Sequence, residues 1–235
     1  LNGTKTWISN ATVADLALVF AQTDKAKAHE GIAAFLIEKG TPGFSTRRIT
    51  GKLGLRASDT GELIFEDCAV PGDCVLGGAE QGFKVAMSAL DNGRYSVAAG
   101  CVGIIQGCVD ACTSYAQQRK QFGKPIAGFQ LVQDMIARMV VDLEAARLLV
   151  YRAGHLKNQG RPSTVETSIA KYFASEAAVR AATDAVQIYG GYGYSEEAPV
   201  ARYYRDAKVA TIYEGTSQIQ KLLIGAHVLG VKAFS

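Results

Sequence analysis

Glu214 is the residue of this sequence that is best placed for acid–base chemistry. It follows Ile212 and Tyr213 and precedes Gly215, after which "TSQIQKLLIGAHVL" predicts a helix. A carboxylate at a helix start lies near free backbone N–H groups and the positive end of the helix dipole, which lowers its pKa. Burial against apolar neighbours and a ligand would instead raise that pKa from ~4.3. A raised pKa suits proton abstraction from carbon, although an ordinary acid at a helix start would give the same local pattern.

The stretch "QIYGGYGYS", residues 187–195, is a candidate ligand-binding turn. Bare backbone at Gly190 and Gly191 would admit a flat or phosphate-bearing ligand, and a simple glycine turn between two helices is the alternative. The pattern is not GxGxxG, because Glu196 stands where a third glycine would be and no predicted strand precedes it. A dinucleotide-binding site of the Rossmann type is therefore excluded.

Three shorter stretches contain further candidates. "LDNGR", residues 90–94, is expected to break a helix, and Arg94 is either a surface charge or a buried one that needs a partner such as Asp91. "QQRKQFGKPI" is typical of a basic helix end that stops at a glycine, which could also be a solvated cap. "WISN" holds the only tryptophan, whose ring could belong to the core or form a wall against a planar ligand.

The elements that would position these residues differ between two parts of the chain. Residues 1–76 contain five short runs rich in aliphatic and β-branched residues, separated by Gly, Pro, Asn and Asp: "TKTWIS", "LALVFAQT", "GIAAFLIEK", "FSTRRIT" and "GELIFEDCAV". They predict an antiparallel β-domain, a small barrel or sandwich. Residues 77–235 have apolar residues at helical spacing and predict an antiparallel four-helix bundle. The fold class is therefore α+β.

The helical part supplies its own boundary signals. Leu131, Met135, Met139 and Leu143 form an apolar stripe that predicts one long helix. Ser163 or Thr164 can cap the next helix, which is expected to run to about Tyr189. The last helix is expected to begin near Thr216, and Ser217 with Gln220 fits a capping box.

Composition narrows the function classes. Of the 235 residues, 48% are hydrophobic and 20% charged, and the net charge of +3 with scattered Lys and Arg predicts no nucleic-acid partner. We expect no apolar run near the ~18 residues of a membrane span and no signal peptide. The chain begins "LNGTKTW" without Met, which suggests a fragment, a processed chain or incomplete coverage.

The five cysteines and three histidines do not form a metal or hydrolase pattern. The odd number of cysteines and the lack of CxxC spacing argue against a disulfide framework or a zinc site. Cys108 and Cys112 could share a metal, but small buried thiols on the helical face that also carries Cys101 are the favoured interpretation. They indicate a reducing compartment.

Seven motifs occur in one order along the chain and together carry a resemblance. They are "WISNA", "KLGLRASDTGELIFEDCAVP", "DNGR", "RKQFGKPI", "QIYGGYGY", "YRDAK" and "IYEGTSQIQ". In this combination the sequence resembles the acyl-CoA dehydrogenase family, especially its short-chain and short-branched-chain members, over essentially its whole length. The resemblance implies FAD-dependent oxidation of an acyl-CoA to the trans-2-enoyl-CoA, with electrons passed to an electron-transfer flavoprotein. It also implies a homotetramer, a dimer of dimers.

The resemblance assigns roles to individual residues. Glu214 would be the base that removes the α-proton while flavin N5 accepts the β-hydride. Its backbone N–H and a flavin hydroxyl would bind the thioester carbonyl, as an oxyanion hole does. Some family members carry the base at the position of Gly93, which cannot act as one. The residues assigned to FAD are Trp7, Ile8, Ser9, Arg119, Phe122, Gln130, Gln187, Ile188, Tyr189, Gly190, Gly191, Thr216, Ser217 and Gln218. Those assigned to acyl-CoA are Asp91, Asn92, Gly93, Arg94 and Gly215.

In that assignment Arg119, Phe122, Gln130 and residues 187–191 hold the ADP part of FAD across a subunit interface. The family also has an N-terminal helical domain, which we expect this chain to lack. An acyl-CoA oxidase and a non-catalytic binding or assembly module of the same fold remain as alternatives. The expected compartment is the cytoplasm in a bacterium and the mitochondrial matrix in a eukaryote.

Overall fold

The computed structural model describes residues 1–231 and divides them into two units, Leu1–Leu90 and a second that begins at Asp91. The first unit is built mainly of strands and the second of helices, as predicted. The division falls inside the first long helix, Gly82–Gln118, so its position does not decide the domain limits. The limits 1–76 and 77–235 stay a prediction.

The first unit contains two antiparallel sheets. The five predicted strands are present as β1 (Gly3–Ser9), β2 (Leu16–Gln22), β3 (Ile32–Glu38), β4 (Phe44–Arg48) and β5 (Thr60–Phe65). One sheet has the order β1-β5-β4, and the other is the β2-β3 hairpin. A single core that includes Val19, Phe35, Leu63 and Phe65 lies between their inner faces, which confirms the predicted antiparallel β-domain.

Five α-helices occur among residues 82–231, and the first of them begins within the first unit. They are α1 (Gly82–Gln118), α2 (Gln130–Asn158), α3 (Thr164–Tyr189), α4 (Pro199–Val209) and α5 (Ser217–Leu229). A hairpin of two short strands, each of two residues, follows α1: β6 (Lys120–Gln121) and β7 (Lys124–Pro125). The core lies around α3, where seven fully or almost fully buried alanines let the neighbouring helices approach closely.

Two details of the helical unit differ from the sequence prediction. In α2, Met139 and Leu143 are buried, but Leu131 is 80% exposed, and the buried stripe continues through Ala146, Val150 and Ala153. Ser163 occupies the cap position of α3, yet its side chain accepts no capping hydrogen bond. The hydroxyl of Thr164 donates to Asp91 instead, so it ties the start of α3 to α1.

Helix α1 is continuous, so the predicted break at "LDNGR" is wrong. Asn92 and Gly93 lie within the helix, where a glycine costs about 1 kcal/mol relative to alanine. Helix α1 also contains an 18-residue window with mean hydropathy 1.4, which corrects our expectation of no such run. Core helices also have this length and composition, and Cys101, Ile105 and Cys108 of α1 belong to the core of the second unit.

The cysteines are free thiols. Cys101, Cys108 and Cys112 are buried, and burial raises the pKa of each thiol to about 12. No group of metal-ligating side chains occurs among residues 1–231. The burial of the three cysteines in the core of the second unit supports their interpretation as small core residues.

We expect these three thiols to resist alkylation in the folded protein. The thiolate is the reactive form, and only about one thiol in ten thousand is ionised at pH 8 when its pKa is about 12. Mass-resolved labelling with iodoacetamide should modify the half-buried Cys74 first and the three core thiols only in denaturant. Rapid labelling of Cys101, Cys108 or Cys112 in the native protein would contradict their placement.

Candidate active site

Glu214 lies in the short loop between α4 and α5, in a backbone conformation that few residues adopt. Its φ is 54°, and Gly215 follows with φ 85°. Two successive left-handed residues make a tight turn, and a non-glycine residue pays a strain cost there. The Ser217 N–H donates to the Thr211 carbonyl at 3.0 Å and closes the loop. The backbone is thus bent at the residue that carries the candidate base.

Two buried side chains donate hydrogen bonds to the backbone carbonyl groups of this turn. The Gln220 amide donates to the carbonyl of Glu214 at 3.2 Å and to that of Gly215 at 3.1 Å. The Lys171 ammonium donates to the Gly215 carbonyl at 2.7 Å. Both side chains are fully buried, so these hydrogen bonds form away from water. They stabilise the backbone of this turn at the residue that carries the candidate base.

The Glu214 carboxylate is half-buried against α1. A Cβ atom added at Gly93 would lie 2.6 Å from Cδ of Glu214 and closer still to Oε2, so only glycine leaves room for the carboxylate. Within residues 1–231, Oε2 is buried and has no hydrogen-bond partner. Burial raises the pKa of Glu214, while Arg94 and Lys171 act against that rise. This is the environment that a proton acceptor requires.

Arg94 is the second charge beside this turn. It is 7% exposed and forms an ion pair with Asp91 at 3.1 Å, one of the two alternatives that the sequence left open. Asp91 also accepts from Thr164 at 2.9 Å. Among the described residues 1–231, no group pairs with the buried Nε atom of Arg94, which lies 3.8 Å from the Cβ that a side chain at Gly215 would carry. Asn92, the remaining residue assigned to acyl-CoA, is exposed on α1.

Lys171 and the role of Gln220 in holding the turn were not predicted from the sequence. A signal for Lys171 was present, since it shares the face of α3 that carries Ala170, Ala174 and Ala178, all buried. A lone lysine on an otherwise alanine-rich helix face indicates a buried charge with a specific partner. Its partner, the Gly215 carbonyl, is 44 residues away and gives no sequence signal.

The start of α5 differs from the predicted capping box. Thr216 is the cap, and its hydroxyl accepts from the N–H of Ile219 at 3.3 Å. Ser217 is buried, and its hydroxyl donates to Glu176 at 2.5 Å. Gln220 cannot complete a box because its side chain turns to the Glu214 loop. Gln218 is exposed, and the FAD contacts assigned to residues 216–218 stay predictions.

A second group of assigned residues surrounds a cavity of about 540 Å³ at the other end of α3. The structure brings Arg119 together there with Ile188, Tyr189, Gly190 and Gly191. Added Cβ atoms at both glycines would meet open space, so the backbone is accessible. The Arg119 guanidinium lies over the Tyr192 ring, 5.6 Å from its centroid. Glu197, which the sequence analysis did not single out, adds one negative charge to the lining.

Other residues assigned to FAD lie around this group or in the first unit. Phe122 is 91% exposed at φ 49° in the β6-β7 turn, and Gln130 and Gln187 are exposed on α2 and α3. In the first unit, a register shift between Lys5 and Ile8 forms a bulge in β1. It turns Trp7 outward, 67% exposed, whereas Ile8 packs on the core and Ser9 ends the strand.

The two groups of the second unit are far apart. Lys171, which contacts the Glu214 turn, and Tyr189, which lines the cavity, are separated by 18 positions of one continuous helix. At 1.5 Å per residue this is about 27 Å. The two groups therefore lie in different parts of the second unit.

Comparison with known protein families gives two consecutive matches. Residues 1–68 match the acyl-CoA dehydrogenase middle domain, and residues 80–229 match the acyl-CoA dehydrogenase C-terminal domain.

Curated relatives extend the similarity along almost the whole chain. The chain is 49% identical over 229 residues to a short-chain specific acyl-CoA dehydrogenase of Megasphaera elsdenii, covering 97% of this chain and 60% of the relative. It is 48% identical to the mitochondrial short-chain specific acyl-CoA dehydrogenase of Homo sapiens, covering 97% of this chain and 56% of that protein. The chain thus spans somewhat more than half the length of these relatives.

Solved structures share the fold. The butyryl-CoA dehydrogenase of Megasphaera elsdenii superposes with a TM-score of 0.94 at 48% identity, over 97% of this chain and 60% of that one. A chain from work on the electron transferring flavoprotein of Acidaminococcus fermentans gives a TM-score of 0.95, also at 48% identity and with the same coverage.

Proposed function

The chain belongs to the acyl-CoA dehydrogenase family, and we propose that the complete protein oxidises a short or short-branched acyl-CoA to the trans-2-enoyl-CoA with FAD. The observation that carries this proposal is the Glu214 carboxylate, which is held on a strained turn with Oε2 buried and, in the part of the chain that the structure describes, without a hydrogen-bond partner. The short-chain preference is extended from the relatives described as short-chain specific and as a butyryl-CoA dehydrogenase.

In this proposal Glu214 accepts the α-proton of the thioester at its free Oε2. Burial raises the pKa of the carboxyl group, which strengthens it as a base, and Arg94 keeps it ionised. The left-handed turn directs the carboxylate toward α1 at Gly93, where the lack of a side chain leaves space for it. The backbone N–H of Glu214 would stabilise the negative charge that develops on the thioester oxygen. When bound, FAD supplies the hydride acceptor for the β-carbon.

The residues around the 540 Å³ cavity fit the phosphate-bearing part of FAD. Arg119 supplies a fixed positive charge, and Gly190 and Gly191 supply backbone that an extended ligand can approach closely. Their distance of about 27 Å from the Glu214 turn favours contact with a neighbouring subunit's flavin. We therefore propose that FAD binding depends on a homotetramer. In the first unit, the outward Trp7 would lie along the flavin ring.

We expect Arg119→Ala in the complete protein to release FAD. A charge-assisted hydrogen bond to phosphate contributes roughly 1.5–3 kcal/mol, which corresponds to FAD affinity about tenfold to a hundredfold weaker. Equilibrium dialysis of FAD against the folded protein measures this directly. Arg161→Ala, a change at an exposed arginine outside the cavity, is the control and should retain FAD. Unchanged affinity in Arg119→Ala would refute the assignment of the cavity.

The partners and compartment follow from the same proposal. The electrons would leave to an electron-transfer flavoprotein, which is consistent with the similarity to the chain from the Acidaminococcus fermentans work. The human relative is described as mitochondrial, so we propose the mitochondrial matrix in a eukaryote and the cytoplasm in a bacterium.

The experiment that tests the function uses the complete protein. It should be yellow with bound flavin, and butyryl-CoA should reduce an artificial electron-accepting dye in its presence. Rapid oxygen consumption without dye would instead favour the acyl-CoA oxidase. Bound flavin without any reduction by short or branched acyl-CoA would favour the non-catalytic module and contradict the proposal.

A further inference from the structure

Lys171 is a fully buried cation that the proposed proton transfer does not use. Its side chain is 0% exposed on α3, and its ammonium donates to the Gly215 carbonyl at 2.7 Å. An ammonium group buried in a protein costs free energy unless charges or hydrogen bonds compensate it. A leucine or methionine at this position of an alanine-rich helix would avoid that cost. A lysine here therefore indicates a role in the site that it contacts.

We propose that Lys171 is a positioning residue for Glu214, which clamps the Gly215 carbonyl and keeps the neighbouring carboxylate ionised. The hydrogen bond from Lys171 is made to the residue directly after Glu214, where two successive residues have positive φ angles. This inference rests on the proposed role of Glu214 as the base. It concerns how that base is held and charged.

Other charged groups around the Glu214 turn have partners of their own, which makes Lys171 an important positive charge beside the carboxylate. Arg94 is already paired with Asp91, and Glu176 accepts from Ser217. Lys171 is bonded to a neutral carbonyl, and after Arg94 it is the second positive charge that opposes the rise in the pKa of Glu214. The titratable and charged groups that face this region are Arg94 and Cys101 from α1, with Asp91 paired to Arg94, Lys171 and Glu176 from α3, Asp206 from α4, and Tyr213 from the loop itself.

The direction of the coupling follows from the two pKa values. Burial raises the pKa of Glu214 and lowers that of Lys171 to about 8, and each of the two charges opposes the shift of the other. Lys171 is thus mostly an ammonium below pH 8. Removing its charge must raise the pKa of Glu214 further, and neutralising Glu214 must lower the pKa of Lys171 by the same amount.

The first test is Lys171→Met in the complete protein, which keeps the length of the side chain and removes both the charge and the donor. The carboxyl band of Glu214, assigned by its loss in Glu214→Gln, is followed by infrared spectroscopy against pH. We expect its titration to move up by about one pH unit, with the acidic limb of the kcat/KM profile moving equally. Lys171→Arg should restore most of both shifts, and Lys208→Met, a change at an exposed lysine, should cause neither.

A second measurement does not require Lys171→Met to fold. Because the pKa of Lys171 is lowered in the folded state, the free energy of unfolding should rise as pH increases from about 8 toward 10.5, the ordinary lysine value. In Glu214→Gln this rise should begin at a lower pH. Thermal unfolding of the wild type and the variant between pH 6 and pH 10 compares the two profiles.

The outcomes separate this inference from the proposed function. Two results would overturn the role of Lys171 even if Glu214 is the base. One is a Glu214 titration that does not shift in folded Lys171→Met. The other is a free energy of unfolding that rises over the same pH range in Glu214→Gln and in the wild type. If Glu214→Gln still reduces flavin normally, the proposed function fails even though the infrared shift is seen. A shift in both measurements together with an inactive Glu214→Gln supports both.

Discussion

Glu214→Gln in the complete protein is expected to slow flavin reduction by butyryl-CoA by ~10⁴-fold or more, since loss of a general base alone costs typically 10²–10⁴. The amide is nearly isosteric, so the turn at Gly215 and the hydrogen bonds from Lys171 and Gln220 should survive. An amide cannot accept the α-proton, and water excluded from a closed site cannot replace the carboxylate. The loss should therefore lie at or beyond the upper limit.

Binding and chemistry should separate in this variant. FAD and acyl-CoA should still bind, so mixing them should still shift the flavin spectrum, while the bleaching that marks reduction nearly vanishes. Anaerobic stopped-flow absorbance records both signals in one experiment. If Glu214→Gln reduces flavin within about tenfold of the wild type, less than the smallest loss expected for a base, another base must be sought.

Gly93→Ala is expected to lower the rate of flavin reduction by about 100-fold, the loss that a misplacement of about 1 Å can cause. The added methyl group would occupy the space of the Glu214 carboxylate, which must rotate away because the backbone of α1 cannot. Alanine is favoured over glycine inside a helix by about 1 kcal/mol. The protein should therefore stay folded, but the Glu214 carboxylate should no longer be held in the position that proton abstraction requires.

Gly100→Ala is the matched control for this change. Gly100 lies on the same helix, and an alanine methyl group there would meet open space. It should keep full activity and a melting temperature at or above that of the wild type. Wild-type flavin reduction in Gly93→Ala would show that the carboxylate does not work from the position described, whereas unfolding of Gly93→Ala alone would point to a packing role for this glycine.

Local patterns were sufficient to predict the strands, the long helices and the place of Glu214. Each strand of the first unit is a short apolar run between turn residues. The helix start after Gly215 is indicated by the stretch "TSQIQKLLIGAHVL" alone. These signals are local, because the periodicity and the turn residues lie within the element that they define.

The contacts that make the site were not predictable in the same way. Gly93 looked like a helix break because local propensity treats glycine as a cost, but the tertiary position of Glu214 requires it. Ser217 looked like a cap because the spacing to Gln220 was right, but Glu176 and the Glu214 loop take both side chains. The Lys171 contact depends on chain segments 44 residues apart, which no local pattern reports.

The most direct test of the central claim follows the α-proton alone. α-Deuterated butyryl-CoA is incubated in ordinary water with the complete protein whose flavin has been reduced beforehand, so that hydride transfer cannot occur. Loss of deuterium to solvent, followed by NMR, then reports only the exchange catalysed by the base. We predict rapid exchange with the wild type, slower exchange with Gly93→Ala and none above background with Glu214→Gln. Exchange by Glu214→Gln at the wild-type rate would contradict the assignment of Glu214 as the base.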